Sequence, residues 1–318
     1  MPQATAPETP KQELLLLIEK CSHAFSYYDI QSGERIKSIR LPDFPHEFVV
    51  DSKQKYAYIG HYGVETSGHK GAGGHVIFVI DLEQASHVRT IDCAPFNRLH
   101  GMQMDAADRL YAMSEDKAVL LVFEQPEQAQ AIDRAVPSGG LKSHLFALSR
   151  DGRDAYSMNL LSHTVTHIKP HDACFAPRAV SPGDKPEGYC LSEDEAILYV
   201  SNRLSNTISM IDTASMTVRK QAPSRNDPTR LYRCRDGRML VTNYGDRSIS
   251  IIDPDSLQEL AYIEAGARPI ALSLHPERNW AFVSLDDNRV GILDLDELCF
   301  VRYIATQLEP DVSKVIFQ

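Results

Sequence analysis

The stretch that decides the fold lies in the second half of the chain, where residues 198–212 read LYVSNRLSNTISMID. Residues 240–253 repeat this pattern as LVTNYGDRSISIID, and residues 281–294 repeat it as AFVSLDDNRVGILD. The offset of about 41 residues is the period of a four-stranded propeller blade. Short runs rich in Val, Ile and Tyr alternate with polar turns, which is typical of strands, and no helical period competes. The repeat therefore predicts an all-β propeller.

The copies resemble the YVTN repeat of bacterial β-propellers, in which a Tyr-Val-Thr/Ser-Asn strand is followed by a polar turn and a strand ending in Asp. The resemblance is strongest over residues 185–305 and continues upstream at residues 156–159 and 57–60. It implies a fold but no single activity, because the family includes surface proteins, lactonase-like enzymes and accessory domains.

Seven repeat units can be counted, and the seventh is split between the two ends of the chain. Residues 310–317 match the start of a repeat, and residues 14–29 match the rest of one. We therefore predict a single seven-bladed propeller over residues 13–318, whose C-terminal strand completes the N-terminal blade and closes the ring. Residues 1–12, which are polar and proline-containing, are predicted to form a disordered tail.

Composition narrows the classes of partner. The 318 residues are 43% hydrophobic, enough for a large core, and the formal net charge of −10 argues against binding to nucleic acid. No apolar run is long enough to span a membrane, and the N-terminus lacks a signal pattern, so a cytoplasmic location is expected. The six cysteines form no CxxC pair and are expected to be free thiols.

Aligned repeats allow equivalent residues to be compared, and one position stands out. In propellers it begins the innermost strand of each blade, where side chains converge on the central axis. Read around the ring, this axial position holds His46, His100, His144, Glu187, Thr229, Ile270 and Asp311. Because histidine accounts for only 12 of the 318 residues, three histidines in adjacent equivalent positions are not expected by chance.

The four consecutive residues His46, His100, His144 and Glu187 predict a metal site. Imidazole nitrogens with one carboxylate suit Fe(II), Mn(II), Ni(II), Cu(II) or Zn(II) rather than Mg or Ca. The set is similar to the ligands of cupin oxidases and oxygenases, which favours Fe(II) over Mn, Cu, Ni or Zn. The alternative is that each histidine is a packed residue bonded to a turn.

Three further residues are candidates for catalysis. Glu19 and His61 end the second strands of their blades and are predicted to open to the same mouth, as a general base or as partners of the metal ligands. The turn from His61 to His75 is about ten residues longer than its counterparts, which indicates a flexible flap over the site. Within it, His69 is a candidate for substrate entry or proton transfer, and Tyr62 for substrate contact.

Basic residues also collect near the axial position and suggest an anionic organic substrate, such as a carboxylate or phosphate. The alternative is that they are solvated charges at the rim. The candidate substrate-binding cations are Arg98, Lys142, Lys185, Arg230 and Arg268.

The sequence leaves three classes of function open. The first is a metal-dependent oxidoreductase or oxygenase acting on a small anionic molecule, with a weak analogy to carotenoid-cleaving oxygenases, which hold iron on a propeller axis. The second is a metal-dependent lyase or lactonase-like hydrolase. The third is a scaffold without catalysis, which predicts no tightly bound metal. The axial histidines favour the first class.

Overall fold

The computed structural model describes residues 12–318 as seven four-stranded antiparallel sheets around one axis. The seven-bladed all-β fold predicted from the repeat is confirmed. The predicted tail, residues 1–12, lies outside the described residues apart from Gln12, whose backbone N–H donates to the carbonyl of Gln318 at 2.7 Å.

Blade 1 contains β1 (Glu13–Glu19), β2 (Ala24–Asp29) and β3 (Arg35–Arg40), with a short 3-10 turn (Lys20–Ser22) after β1. Blade 2 contains β4 (Pro45–Val50), β5 (Tyr56–His61), β6 (Val76–Asp81) and β7 (Ser86–Asp92). Blade 3 contains β8 (Leu99–Met104), β9 (Leu110–Ser114), β10 (Val119–Phe123) and β11 (Arg134–Pro137). Blade 4 contains β12 (Ser143–Leu148), β13 (Ala155–Asn159), β14 (Thr164–Ile168) and β15 (Arg178–Val180).

Blade 5 contains β16 (Pro186–Leu191), β17 (Ile197–Asn202), β18 (Thr207–Asp212) and β19 (Thr217–Pro223). Blade 6 contains β20 (Pro228–Arg233), β21 (Met239–Asn243), β22 (Ser248–Ile252) and β23 (Glu259–Glu264). Blade 7 contains β24 (Pro269–Leu274), β25 (Trp280–Leu285), β26 (Arg289–Asp294) and β27 (Cys299–Ala305). The last strand, β28 (Pro310–Phe317), is the innermost strand of blade 1.

Burial is greatest in the middle strands of each blade and least at the rim, which explains why the strands do not all alternate. The second strand of blade 5, β17, is almost wholly buried, whereas its outermost strand, β19, is mostly exposed. Middle strands are covered by neighbouring blades on both faces, so they read as continuous apolar runs. Between blades 1 and 2, for example, Phe25 and Phe48 meet edge to face with ring centroids 5.1 Å apart.

The ring closes as predicted, because β28 pairs with β1. The antiparallel register sets Leu14 opposite Ile316 and Leu16 opposite Lys314. Val315 and Ile316 are buried, so closure stabilises the fold through both a strand ladder and apolar packing.

The backbone supports the alignment of the repeats. Six innermost strands are preceded by a residue in the left-handed region, with φ between 52° and 57°. These residues are Phe44, Arg98, Lys142, Lys185, Asp227 and Glu309. Each lies two positions before an axial residue, so the axial residues enter the pocket through the same turn.

Two further expectations concern cysteines and membranes. All six cysteines are free thiols in the described residues. Residues 12–318 contain no helix with the length and hydropathy needed to cross a membrane.

Candidate functional site

The axial residues surround a pocket at the mouth of the central channel. Its volume is about 260 Å³. All seven axial residues line it, namely His46, His100, His144, Glu187, Thr229, Ile270 and Asp311. The structure therefore brings the four predicted metal ligands to one place, while their role in binding metal stays a prediction.

The three imidazoles pack as a row across three adjacent blades. The ring centroids of His46 and His100 are 4.2 Å apart, and those of His100 and His144 are 3.6 Å apart. Tyr62 stands edge-on to His46 and His100, with centroids 5.3 and 5.1 Å away. Each of the three histidines lies where the pairing of the innermost strand shifts its register, between Pro45 and Phe48, Leu99 and Met102, and Ser143 and Leu145.

Burial sets the charge state of two of these imidazoles. Desolvation, together with the nearby cation of Lys20, lowers the pKa of His46 well below its usual value. Desolvation and the neighbouring His144 lower the pKa of His100 in the same direction. Both imidazoles are therefore neutral at pH 7, which is the form that binds metal ions.

A carboxylate faces the Nδ1 atom of each imidazole. Glu115 hydrogen-bonds to His144 Nδ1 and also accepts the hydroxyl of Tyr62 at 2.8 Å. Burial opposes ionisation of Glu115, but His144, Tyr62 and Lys142 together outweigh it and lower the pKa of that carboxyl. Asp311 Oδ2 lies 3.3 Å from His46 Nδ1, and Glu47 Oε1 lies 3.9 Å from His100 Nδ1.

The Nε2 atoms of the three histidines are left without protein partners. No hydrogen bond reaches Nε2 of His46, His100 or His144 from the residues that the structure describes. At His144 the hydrogen bond to Glu115 keeps the proton on Nδ1, so the Nε2 lone pair is available to a ligand. Nδ1 of His46 and Nδ1 of His100 have no hydrogen-bond partner among the described residues.

Glu187 is held from one side only. Arg203 donates from Nη1 to Glu187 Oε2 at 2.8 Å, and its other donors bind Asp227. Burial favours the neutral acid, but Arg203, His144 and Arg230 together outweigh it and lower the pKa of Glu187 to about 2. Glu187 is thus an anion whose second oxygen, Oε1, is not engaged by Arg203.

Carboxylates outnumber cations in the pocket. Four carboxylates line it, from Glu65, Glu187, Glu309 and Asp311, against the three cations Lys20, Arg203 and Arg230. Asp311 is only 1% exposed, and neither of its oxygens has a hydrogen-bond partner among the described residues. A buried anion without partners is costly, and a bound cation would relieve that cost.

The donor atoms that lie closest together are not those of the predicted quartet. His46, Glu47 and His100 each offer a ligand atom, and these atoms all lie within 4.8 Å of one another. His144 and Glu187 are outside this group. Two histidines and one carboxylate nevertheless form a recognised ligand set for iron.

An ion pair crosses the axis beside this group. Glu47 of blade 2 accepts a hydrogen bond on Oε1 from Arg230 of blade 6 at 2.8 Å. A second contact crosses the channel from Gln103 Nε2 to the hydroxyl of Tyr189 at 2.6 Å. These links connect distant blades across the channel, close to the pocket that the histidines line.

The predicted substrate-binding residues divide into two groups. Arg230 and Tyr62 line the pocket. Arg98 instead donates to the carbonyls of His69 at 2.6 Å and Gly71 at 2.8 Å, and Lys142 donates to that of Ser67 at 2.8 Å. These two cations fasten the long turn rather than facing the pocket.

Lys185 and Arg268 do not line the pocket either. Lys185 is bound through its backbone N–H, which donates to His163 Nδ1 at 2.8 Å. The guanidinium of Arg268 lies over the ring of Tyr244, 5.1 Å from its centroid. The expectation that all the cations face the pocket is therefore not met.

The three predicted catalytic residues are not brought together with the axial histidines. Glu19 is fully buried between blades and accepts hydrogen bonds from Ser26 and Tyr28 at 2.6 Å each. His61 Nε2 donates to the carbonyl of Asp43 at 2.9 Å. The backbone carbonyl of His69 accepts a hydrogen bond from Arg98, and His69 does not line the pocket. The side chains at strand ends point between the blades, which explains why these residues miss the mouth.

In four of the seven blades the residue one position further along this turn does reach the mouth, and of these four only Tyr62 was singled out from the sequence. Successive residues of an extended strand point to opposite sides. The residues that follow Glu19, His61, Ser114, Asn202 and Asn243 are Lys20, Tyr62, Glu115, Arg203 and Tyr244, and all of these except Glu115 line the pocket. Aligning this position as a second ring would have shown its unusual content of charged and aromatic residues.

The long turn lies over the pocket, since Glu65, Thr66 and Ser67 line it.

We expect Arg98→Met to loosen this turn and to speed tryptic cleavage after Lys70 by at least about tenfold, because each hydrogen bond from a charged donor contributes ~1.5–3 kcal/mol. Cleavage at Lys70 is measured by mass spectrometry. Arg153→Met, an exposed change in blade 4, is the control, and equal rates in the two variants would contradict the fastening role.

The comparisons with known proteins identify the fold but no family. No protein-family model matches the sequence, and no curated protein matches it. A protein of unknown function from Desulfotomaculum acetoxidans superposes with a TM-score of 0.79 at 13% identity, over 95% of this chain and 98% of that one.

Two other solved structures carry functional names. A candidate 6-phosphogluconolactonase from Bacteroides fragilis superposes with a TM-score of 0.77 at 15% identity, over 98% of this chain and 100% of that one. The dihydro-heme d1 dehydrogenase NirN, in complex with DHE, superposes with a TM-score of 0.67 at 14% identity, over 92% of this chain and 63% of that one. At such identities the likeness shows the seven-bladed fold alone. The resemblance to the YVTN repeat family stays a prediction.

Proposed function

We propose that this protein is a metal-dependent enzyme that binds one first-row transition metal ion at the mouth of the propeller. The ligands are His46, His100 and His144, completed by a buried carboxylate, which the sequence analysis assigned to Glu187. The proposal rests on one observation: three adjacent imidazoles line one pocket, no hydrogen bond reaches their Nε2 atoms from the described residues, and Glu115 holds Nδ1 of His144. Metal-binding histidines are held in this way.

The charges of the pocket support a cation as the occupant. The imidazoles of His46 and His100 are neutral, and the lining carboxylates outnumber the lining cations. A divalent ion would neutralise this excess and supply a partner for the unpaired carboxylate of Asp311. Mg²⁺ and Ca²⁺ are disfavoured, because they prefer all-oxygen ligand sets.

We infer that the chemistry is that of an oxidoreductase with Fe(II) as the preferred ion. When bound, iron supplies a Lewis acid and one-electron chemistry with O₂. The closest donor group, two histidines and one carboxylate, supports this choice. The chain's own residues orient the reactants: Glu115 holds the proton at His144 Nδ1, and the turn carrying Glu65 and Ser67 shields the pocket from water.

The substrate is proposed to be a small organic anion. Arg230 and Lys20 line the same pocket as the histidines and can orient a carboxylate or phosphate. The volume of about 260 Å³ limits the substrate to a small molecule. The remaining predicted cations, Arg98 and Lys142, shape the entrance through the turn that they hold.

A second candidate is hydrolysis of a lactone. It is favoured by the Glu115–His144 pair, which resembles a general base held by a carboxylate, and by the fold shared with a candidate 6-phosphogluconolactonase. This reaction needs a bound ion only as a Lewis acid and consumes no O₂.

The two chemistries are separated by reconstitution. Metal-free protein is loaded without oxygen with Fe²⁺, Mn²⁺ or Zn²⁺. Nitric oxide is then added to the iron form, and its EPR spectrum reports an open coordination position. We expect a nitrosyl signal with Fe²⁺ and no acid release from 6-phosphogluconolactone. Acid release with Zn²⁺ and no nitrosyl signal would favour the hydrolase, and retention of no metal would favour the scaffold.

Glu115 provides a separate test of the histidine arrangement. We expect Glu115→Gln to weaken Co²⁺ binding by about 10- to 100-fold, because the charge that holds His144 Nδ1 is removed while the shape is kept. The affinity is measured by calorimetric titration. Glu127→Gln, an exposed change in the same blade, should leave it unchanged. Equal affinities in the two variants would show that Glu115 does not support a ligand.

A further inference from the structure

Glu47 lies between two groups that compete for one of its oxygens. Its Oε1 atom accepts a hydrogen bond from Arg230 at 2.8 Å and lies 3.9 Å from Nδ1 of His100. It also belongs, with His46 and His100, to the group of donor atoms lying within 4.8 Å of one another. The Glu47 side chain is 11% exposed, and the Arg230 side chain is 13% exposed. A metal ion bound by Glu47 would therefore compete with Arg230 for this carboxylate, and Arg230 would lose a buried partner.

Glu187 differs from Glu47 in this respect. Arg203 binds both Glu187 and Asp227, through three hydrogen bonds of 2.5 to 2.8 Å. If the Glu187 carboxylate moved to a metal ion, Arg203 would keep its two hydrogen bonds to Asp227. Arg230 has one carboxylate partner only among the described residues, so loss of Glu47 would leave its guanidinium free in the pocket that it lines.

We propose that Glu47 supplies the carboxylate ligand of the metal, and that its move from Arg230 to the metal turns Arg230 into the binding site for an oxyanion of the substrate. This inference rests on the metal site proposed above. The move of Glu47 couples the binding of the metal ion to the binding of the oxyanion. The metal ion draws Glu47 away from Arg230, and the oxyanion then takes the place of Glu47 on Arg230. Two ligands linked in this way strengthen each other's binding by the same factor.

The coupling is tested by titrating the full chain with Co²⁺ and with sulfate, each in the absence and presence of the other. In the wild-type protein we expect sulfate to bind at least about tenfold more tightly when Co²⁺ is present. In Glu47→Gln, sulfate should bind the metal-free protein as tightly as it binds the Co²⁺-loaded wild type, while Co²⁺ affinity falls at least about tenfold. Glu127→Gln, an exposed change in blade 3, is the matched control and should keep both the Co²⁺ affinity and the coupling.

Arg230→Met separates binding to the guanidinium from binding to the metal. This variant should bind Co²⁺ at least as tightly as the wild type, because a competitor for Glu47 is gone, and should show no sulfate coupling. Coupling that persists in Arg230→Met would mean that sulfate binds the metal directly and would overturn the inference. Circular dichroism checks that the variants fold. If a variant does not fold, the effect of Co²⁺ on sulfate affinity in the wild-type protein decides the test, and the absence of any effect would overturn the inference. No Co²⁺ binding by the wild type would instead overturn the proposed function.

Discussion

His100→Ala is expected to lower Co²⁺ affinity at least about a hundredfold, because it removes the middle imidazole of the row at the axis. The fold should survive, since His100 packs in the pocket wall and its Nδ1 has no hydrogen-bond partner among the described residues. We expect a melting temperature within about 2 °C of the wild-type value, equivalent to ~1 kcal/mol for a chain of this size. Calorimetric titration and thermal melts measure the two quantities.

The matched control for this change is His75→Ala. The His75 side chain is 55% exposed and does not line the pocket, so the same residue type is removed away from the proposed ligands. Its Co²⁺ affinity should equal that of the wild type. If His100→Ala and His75→Ala bind Co²⁺ equally well, the axial histidines are not metal ligands.

Ending the chain after Glu309 is expected to abolish cooperative unfolding. The deletion removes β28, exposes the edge of β1 and removes the buried side chains of Val315 and Ile316. Full burial of each such side chain stabilises the fold by ~1.5–3 kcal/mol, and lost strand pairing adds to this. The sum is comparable to the whole stability of a domain, about 5–15 kcal/mol. Urea unfolding followed by circular dichroism measures the effect.

A synthetic peptide of residues 310–318 provides the control for the truncation. Added in excess, it should pair with β1 and restore a cooperative transition. A truncated protein that melts like the full chain would contradict the closure, whatever the peptide does.

The fold and the axial ring could be predicted from the sequence because both depend on repetition. The strands around Tyr199 and Val241 fix the period, and the period aligns His46, His100 and His144. Equivalent residues of a propeller occupy equivalent places about the axis, as the shared left-handed residue before most of the innermost strands shows. Alignment therefore predicts position well.

The hydrogen-bond and ion-pair partners of the site residues could not be predicted, because they depend on contacts between different blades. Glu47 and Arg230 are 183 residues apart and meet only because the ring sets blades 2 and 6 opposite each other. Glu19 shows a second limit: a shift of one residue turns a strand-end side chain from the mouth to the space between blades. Arg98 shows a third, since its positive charge is satisfied by carbonyls of the long turn rather than by a ligand.

The central claim is that a metal ion binds on the propeller axis, and anomalous X-ray scattering tests it most directly. Crystals of the Co²⁺-loaded protein are measured on both sides of the cobalt absorption edge. We predict one strong anomalous peak per chain in the pocket, within about 2.0–2.3 Å of Nε2 of the axial histidines. A map with no peak there, or with cobalt only at surface histidines such as His75, would contradict the account.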